Sequence, residues 1–161
     1  GTGSGCIIIS LLNNLEKSNG IGIDISKDAI LTAKKNALRF KIKNRLKFHN
    51  KSFMDIFNQK FDLIVSNPPY LTKNELDKVS NEIKNYEPFI ALYGGEDGLS
   101  FYKEFAKKIY KIMKKNAYLI LEIGDHQFQD CKEIFAISKL NFQKKTQDLQ
   151  KKDRIMVFSK L

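Results

Sequence analysis

The sequence has no tryptophan, only two cysteines and three prolines among its 161 residues, and few arginines. Cys6 and Cys131 are far apart, each amid helix-like sequence. That excludes a small disulfide-stapled domain and reads as two buried free thiols in a reducing compartment. No apolar run approaches the roughly 20 residues that a membrane helix needs, and Ile7-Ile8-Ile9 is soon followed by Asn13 and Asn14. No basic-then-apolar leader can be read, so no membrane partner and a cytoplasmic location are expected. Acidic residues are the minority, 18 against 28 lysines and arginines, for a formal charge of +10. A nucleic-acid groove would cluster that charge. Here Lys34-Lys35, Lys107-Lys108, Lys114-Lys115, Lys144-Lys145 and Lys151-Lys152 spread it along the chain as solvated faces, and direct nucleic-acid binding is not expected. His49 and His126 lack a second ligand at a metal-binding spacing, and no metal site is expected.

What is present is one globular domain's worth of chain, 42% hydrophobic and 29% charged, enough to bury a real core. Its most informative stretch is Phe61-Asp62-Leu63-Ile64-Val65-Ser66-Asn67-Pro68-Pro69-Tyr70. Phe61 to Ser66 reads as a buried strand. It must stop at Asn67, because neither proline can donate to a sheet ladder and each biases its predecessor away from helix. The result is a stiff elbow at the carboxyl end of a strand, where open α/β sheets bind ligands. It presents an amide side chain, bare carbonyls and an aromatic ring. A strand-terminating turn is the plainer reading of the tetrapeptide alone.

Gly1-Thr2-Gly3-Ser4-Gly5 is a loop that lets backbone pass close to a ligand, and Cys6 to Leu15 continues it as a helix. The free N–H groups at that helix start suit a carboxylate, a phosphate or a ribose hydroxyl. Gly20 to Asp24 is a short strand ending in an acid. Ser26 is the predicted cap of an amphipathic helix, Lys27 to Lys41, built on Ile30, Leu31, Ala33, Ala37, Leu38 and Phe40. Asp24 stands where α/β folds place a ribose-binding acid; capping the next turn is its alternative. Arg45 to His49 is a third strand, and Lys51 to Phe57 a connection containing Ser52, Phe53 and Asp55. Beyond the elbow the pattern predicts helices over Asn74 to Asn85 and Leu99 to Lys115, with a glycine-rich loop, Ala91 to Gly98, between them. A strand over Tyr118 to Ile123, a helix over Gln127 to Ser138 and an antiparallel pair, Phe142 to Leu149 with Arg154 to Ser159, complete the chain. Alternation of strand and helix predicts an α/β sandwich with a mostly parallel sheet.

A glycine loop, an acid ending the next strand, and Asn-Pro-Pro-Tyr ending a later one resemble the class I S-adenosylmethionine-dependent methyltransferases. Tyr86-Glu87-Pro88, Ala91-Leu92, Gly94-Gly95-Glu96-Asp97-Gly98, Leu121-Glu122-Ile123-Gly124 with Gln127, and Asp153-Arg154 are similar to motifs of the HemK/PrmC family. Those enzymes are peptide chain release factor glutamine N5-methyltransferases. The resemblance implies a Rossmann-like fold and S-adenosylmethionine as cofactor. It sets Gly1, Thr2, Gly3, Ser4 and Gly5 beside the methionine portion, Asp24 on the ribose and Phe53 against the adenine. Many relatives carry an acid where this chain has Ser52. Asn67 would also touch the cofactor. Catalysis falls to Asn67, Pro68 and Tyr70, and substrate binding to Asn67, Pro68, Pro69 and Tyr70: the Asn67 side-chain oxygen and the Pro68 carbonyl accept the two amide hydrogens, and Tyr70 packs on the amide face. Release factors are the implied partner, and a monomer is expected.

Three other readings compete. A sister enzyme methylates a glutamine of a ribosomal protein, an adenine-N6 methyltransferase acts on DNA or RNA, and a non-catalytic cofactor-binding domain would need no intact tetrapeptide. In the resembled family a strand precedes the glycine loop and lies between the Ile21 and Leu63 strands, and a helical release-factor-binding domain precedes that. The 161 residues are therefore expected to be a catalytic-domain piece lacking both. The 161 residues alone are then expected to be unstable or to aggregate, since both neighbouring strands would lose a ladder partner. A cooperative thermal melt at ordinary temperature would overturn that expectation.

Overall fold

Strand β1 (Gly20–Asp24) and strand β2 (Leu46–Asn50) run parallel because a helix, α2 (Lys27–Arg39), carries the chain back between them. This βαβ unit belongs to the first of two units, residues 1–56 and 57–161, in a computed structural model that describes residues 1–55 and 58–161. Helix α1 (Cys6–Asn14) packs its apolar stripe on the same unit. Ile9, Leu12, Ala37, Ile42 and Leu46 form the buried cluster, with Ile8 and Phe48 against it. Ser26 caps α2 as the sequence predicts, its hydroxyl accepting from the Ala29 N–H at 3.2 Å. The buried face of α2 is narrower than predicted. Ile30, Ala33 and Ala37 are inside, whereas Leu31, Leu38 and Phe40 stay about half exposed. Arg45 closes the unit by donating to the carbonyls of Leu12, Leu15 and Ser18 at 2.9–3.0 Å, of which Leu12 is one that the end of α1 leaves without a helical partner.

The second unit holds a four-stranded mixed sheet in the order β3-β4-β6-β5, with β3 (Phe61–Ser66), β4 (Met113–Glu122), β5 (Asn141–Gln147) and β6 (Asp153–Ser159). β3 and β4 are parallel, and the other pairs are antiparallel. The expected closing pair is present, and it joins β4 through β6. Between β3 and β4 lie α3 (Lys73–Leu76), α4 (Asn81–Tyr86), α5 (Phe89–Leu92) and α6 (Ser100–Ile112). The predicted Asn74–Asn85 helix is two short ones, because Thr72 and Ser80 each start a helix with a side-chain cap. Helix α6 ends at Ile112 rather than Lys115. Met113 pairs with Phe61 in the sheet, and Lys114 reaches Asp62 at 2.8 Å, so these residues belong to β4.

Helix α6 buries Tyr102, Phe105, Ala106, Ile109 and Ile112, spaced as one helical face. Helix α7 (Phe128–Ile137) adds Cys131 and Phe135. Phe135 meets Phe158 of β6 with ring centroids 4.9 Å apart. The two thiols part company: Cys131 is buried, its pKa pushed up to about 12 by that burial, while Cys6 is exposed at the start of α1 and corrects the expectation for it. β3 is less buried than its apolar run predicts, with Leu63 37% exposed, because among the described residues it has a ladder partner, β4, on one side only. Among the described residues β1 likewise pairs with β2 alone.

Three lysines take left-handed backbone where chain direction changes: Lys41 after α2, Lys139 after α7 and Lys151 in the β5–β6 hairpin. Phe135→Ala should empty the centre of the second unit and cost about 3–5 kcal/mol, read as a lowered urea midpoint.

Candidate active site

At the end of β3 the elbow forms as its two prolines require. Pro68 is buried, Pro69 and Tyr70 are half-buried, and Asn67 is exposed. Asn67, Pro68, Pro69 and Tyr70 line a cavity of about 370 Å³, closed by Leu71, Ile83, Glu87, Ala91 and Leu92. No described residue donates a hydrogen bond to the Asn67 side chain or to the Pro68 carbonyl.

Behind those acceptors the elbow is tightly tied. The Leu71 N–H donates to the Leu92 carbonyl at 2.9 Å, and the Gly94 N–H donates to the Leu71 carbonyl at 2.8 Å. A Cβ on Gly94 would stand 2.6 Å from the Tyr70 Cα. Gly98 is left-handed at φ 70°, and a Cβ there would lie 2.4 Å from the Tyr70 carbonyl oxygen. Side chains at either position would push the elbow away, which is the physical content of the Gly94–Gly98 motif. The Gln127 carboxamide spans three segments. Its Nε2 donates to the carbonyls of Tyr70 and Gly98 at 3.1 and 3.2 Å, and its Oε1 accepts from the Gly124 N–H at 2.9 Å. The Tyr70 hydroxyl donates to Glu122 Oε1 at 3.1 Å, and the Tyr102 hydroxyl to the Glu122 carbonyl at 2.8 Å. Burial, then the Glu122 carboxylate, pushes the Tyr70 pKa up to about 12, so this hydroxyl keeps its proton at neutral pH. Arg154 and Asp153, adjacent in sequence, take separate partners: Arg154 Nε donates to Asp148 at 2.9 Å, and Asp153 pairs with Lys145 at 2.7 Å.

In the first unit the glycine loop leads into α1 through Gly5, which is left-handed at φ 81°. The Thr2 N–H donates to the Ile23 carbonyl at 2.7 Å, the Gly5 N–H to Thr2 at 2.9 Å, and Asn36 to the Ser4 carbonyl at 2.9 Å. Asp24 is buried. One of its carboxylate oxygens accepts from the Gly3 N–H at 2.8 Å and the other from the Ser26 N–H at 2.9 Å. The turn-capping alternative for Asp24 is therefore realised alongside a tether to the glycine loop. Each oxygen keeps lone-pair capacity for a hydroxyl donor. Space is open beside Gly1 and Gly3, where an added Cβ would meet no atom within 4 Å. Phe53 begins a short 3₁₀ turn, Phe53–Asp55, and is half-buried. Ser52 there is spent on backbone, its hydroxyl accepting from the Met54 N–H at 3.1 Å. Phe57, the end of the connection read from the sequence, lies outside the described residues.

A methyltransferase domain profile matches residues 1–157. The chain belongs to that methyltransferase domain family. Its members' methyl donor is S-adenosylmethionine, and the open glycine loop with a buried acceptor carboxylate beside it fits such a ligand. Over 160 residues the chain is 46% identical to a bifunctional methyltransferase of Rickettsia bellii, covering 99% of this chain and 29% of that protein. It is 38% identical to the release factor glutamine methyltransferase of Fusobacterium nucleatum, covering 99% of this chain and 46% of that one. The chain thus spans under half the length of either relative. Among solved structures, the ribosomal protein L11 methylase of Lactobacillus delbrueckii superposes with a TM-score of 0.69 at 18% identity, over 99% of this chain and 66% of that one. That likeness is one of fold: the Rossmann-like α/β methyltransferase fold.

The methyltransferase domain contains working parts that its sequence motifs leave without a role. Glu122, Gln127, Gly94 and Gly98 carry the elbow, and Glu87 lines its cavity. A glycine three residues before Gln127 and an acid at the end of a strand were the available signals. Because the Tyr70 pKa is raised above its ordinary 10.0, the stabilisation from its neutral hydroxyl is whole below pH 10 and is lost as pH climbs towards about 12. Tyr70→Phe should therefore flatten the alkaline limb of the stability profile, read as urea midpoints from pH 8 to 12 against the parent.

Proposed function

We propose that this domain transfers a methyl group from S-adenosylmethionine to the side-chain amide nitrogen of a glutamine in peptide chain release factors. The observation that carries the proposal is the pair of unoccupied acceptors, Asn67 and the Pro68 carbonyl, on a tied elbow in one cavity. An amide nitrogen is a poor nucleophile, its lone pair delocalised into the carbonyl. It carries two hydrogens in one plane, and two fixed acceptors can grip both while leaving the nitrogen's face free. The bound donor would supply an electrophilic methyl on a sulfonium. The chain's own part is then to orient and desolvate the amide, an effect that can reach about 7–11 kcal/mol in favourable cases. Tyr70 lines the same cavity and, held neutral, offers an uncharged ring wall to the planar group. The motifs shared with release factor methyltransferases, and 38% identity to one of them, support a protein amide over a base amino group.

The test incubates the full-length protein with methyl-labelled donor and four acceptors: release factor, a release factor with its glutamine replaced by alanine, ribosomal protein, and DNA. Label is expected on intact release factor alone. Label on DNA, or label that survives the glutamine replacement, would reject the proposal. Asn67→Ala should lower kcat by about 10²-fold and lower donor affinity far less, as read by calorimetry. Equal losses in both would contradict the acceptor role.

A further inference from the structure

The geometry points to Gln127 as a positioning residue: its carboxamide clamps the Asn67–Tyr70 elbow from behind, so that the acceptors in front stay aimed. The inference rests on the reading of the cavity as an amide-binding site. Pro68 and Pro69 have no N–H, and among the described residues the elbow is tied through the Tyr70 carbonyl, the Tyr70 hydroxyl and the flank at Leu71. Of the described groups that touch an elbow carbonyl, Gln127 Nε2 is the donor, to Tyr70 at 3.1 Å. The same nitrogen holds Gly98 at 3.2 Å, and Oε1 holds Gly124 at 2.9 Å. Every hydrogen of this carboxamide is used, and its residue is only 9% exposed. One planar group therefore fixes the distances among the elbow, the glycine loop after α5 and the end of β4. Asparagine would be one methylene short of that span. A lysine at the same place would offer no acceptor for Gly124. The elbow thus binds two amides: Gln127's own from behind, and the substrate's from in front.

Separating a role in the reaction from one in mere folding takes two readouts on the full-length protein. The first is amide hydrogen exchange at Leu71 and Gly94, whose hydrogen bonds report the tie of the elbow, with Leu119 and Leu121 of β4 as references for the core. The second is the kcat and KM for methyl transfer to release factor. Gln127→Met keeps the size and removes the hydrogen bonds. Gln127→Glu keeps the acceptor and removes both donors. Gln129→Met, on the exposed face of α7, is the control. For both Gln127 variants the expected result is exchange at least tenfold faster at Leu71 and Gly94, unchanged exchange at Leu119 and Leu121, and kcat lowered at least tenfold with KM within about threefold. Unchanged exchange at Leu71 and Gly94 would overturn the inference, as would faster exchange with parental kcat. Faster exchange everywhere would reduce Gln127 to a folding residue and overturn it too. Should the parent label no release factor, the functional proposal falls, while the exchange measurements still decide whether Gln127 ties the elbow.

Discussion

Two successive prolines deny the chain a backbone donor at the point where its chemistry is expected, and the second unit is arranged around that deficit. A turn with two fewer N–H groups to anchor it leans on what donates to it and on what crowds it. Gln127 supplies the donation. Gly94 and Gly98 supply contact so close that a methyl group would not fit. Glu122 receives the Tyr70 hydroxyl at the far end. These groups come from the loop after α5, the end of β4 and the start of α7, which is why three motifs distant in sequence accompany one tetrapeptide.

Backbone polar groups removed from water are normally satisfied, and here the Tyr70 and Leu71 carbonyls are, by Gln127 Nε2 and the Gly94 N–H. In the proposed reading, the exposed Asn67 and the Pro68 carbonyl, to which no described residue donates, receive a planar NH₂ group. The first unit shows a related economy, since Asp24 holds its own loop and turn with one lone pair on each oxygen and still has acceptor capacity.

Much of this was legible in the residues. β1 and the Ser26 cap follow from local chemistry, a short β-rich run and an N-cap serine, and the elbow follows from proline. What the sequence obscured was tertiary. The end of α6 depends on Met113 being drawn into the sheet opposite Phe61, and no helix-stop residue marks it. Leu31, Leu38 and Phe40 keep a helical spacing, but α2 has only a narrow face against its unit. The exposure of β3 depends on which of its edges carries a ladder, which its own apolar run cannot report. The motif residues of the glycine loop, Glu122 and Gln127 were visible as letters, while their convergence on Tyr70 was not.

The left-handed lysines carry one more consequence. A helix end or hairpin that needs positive φ is ordinarily given glycine, because a Cβ there costs about 1–2 kcal/mol. Lys41, Lys139 and Lys151 bear that strain, although the chain has nine glycines to place. All nine stand elsewhere: in the opening loop, in β1, or in the segments that brace the elbow. Corners that only redirect the chain are left to whatever residue is abundant, and bare backbone is kept for places where another group must come close. Gly20 and Gly22 admit Ile8, Leu12 and Phe48 to the core of the first unit, and Gly94 and Gly98 admit the elbow, so these four glycines mark where backbone must yield room.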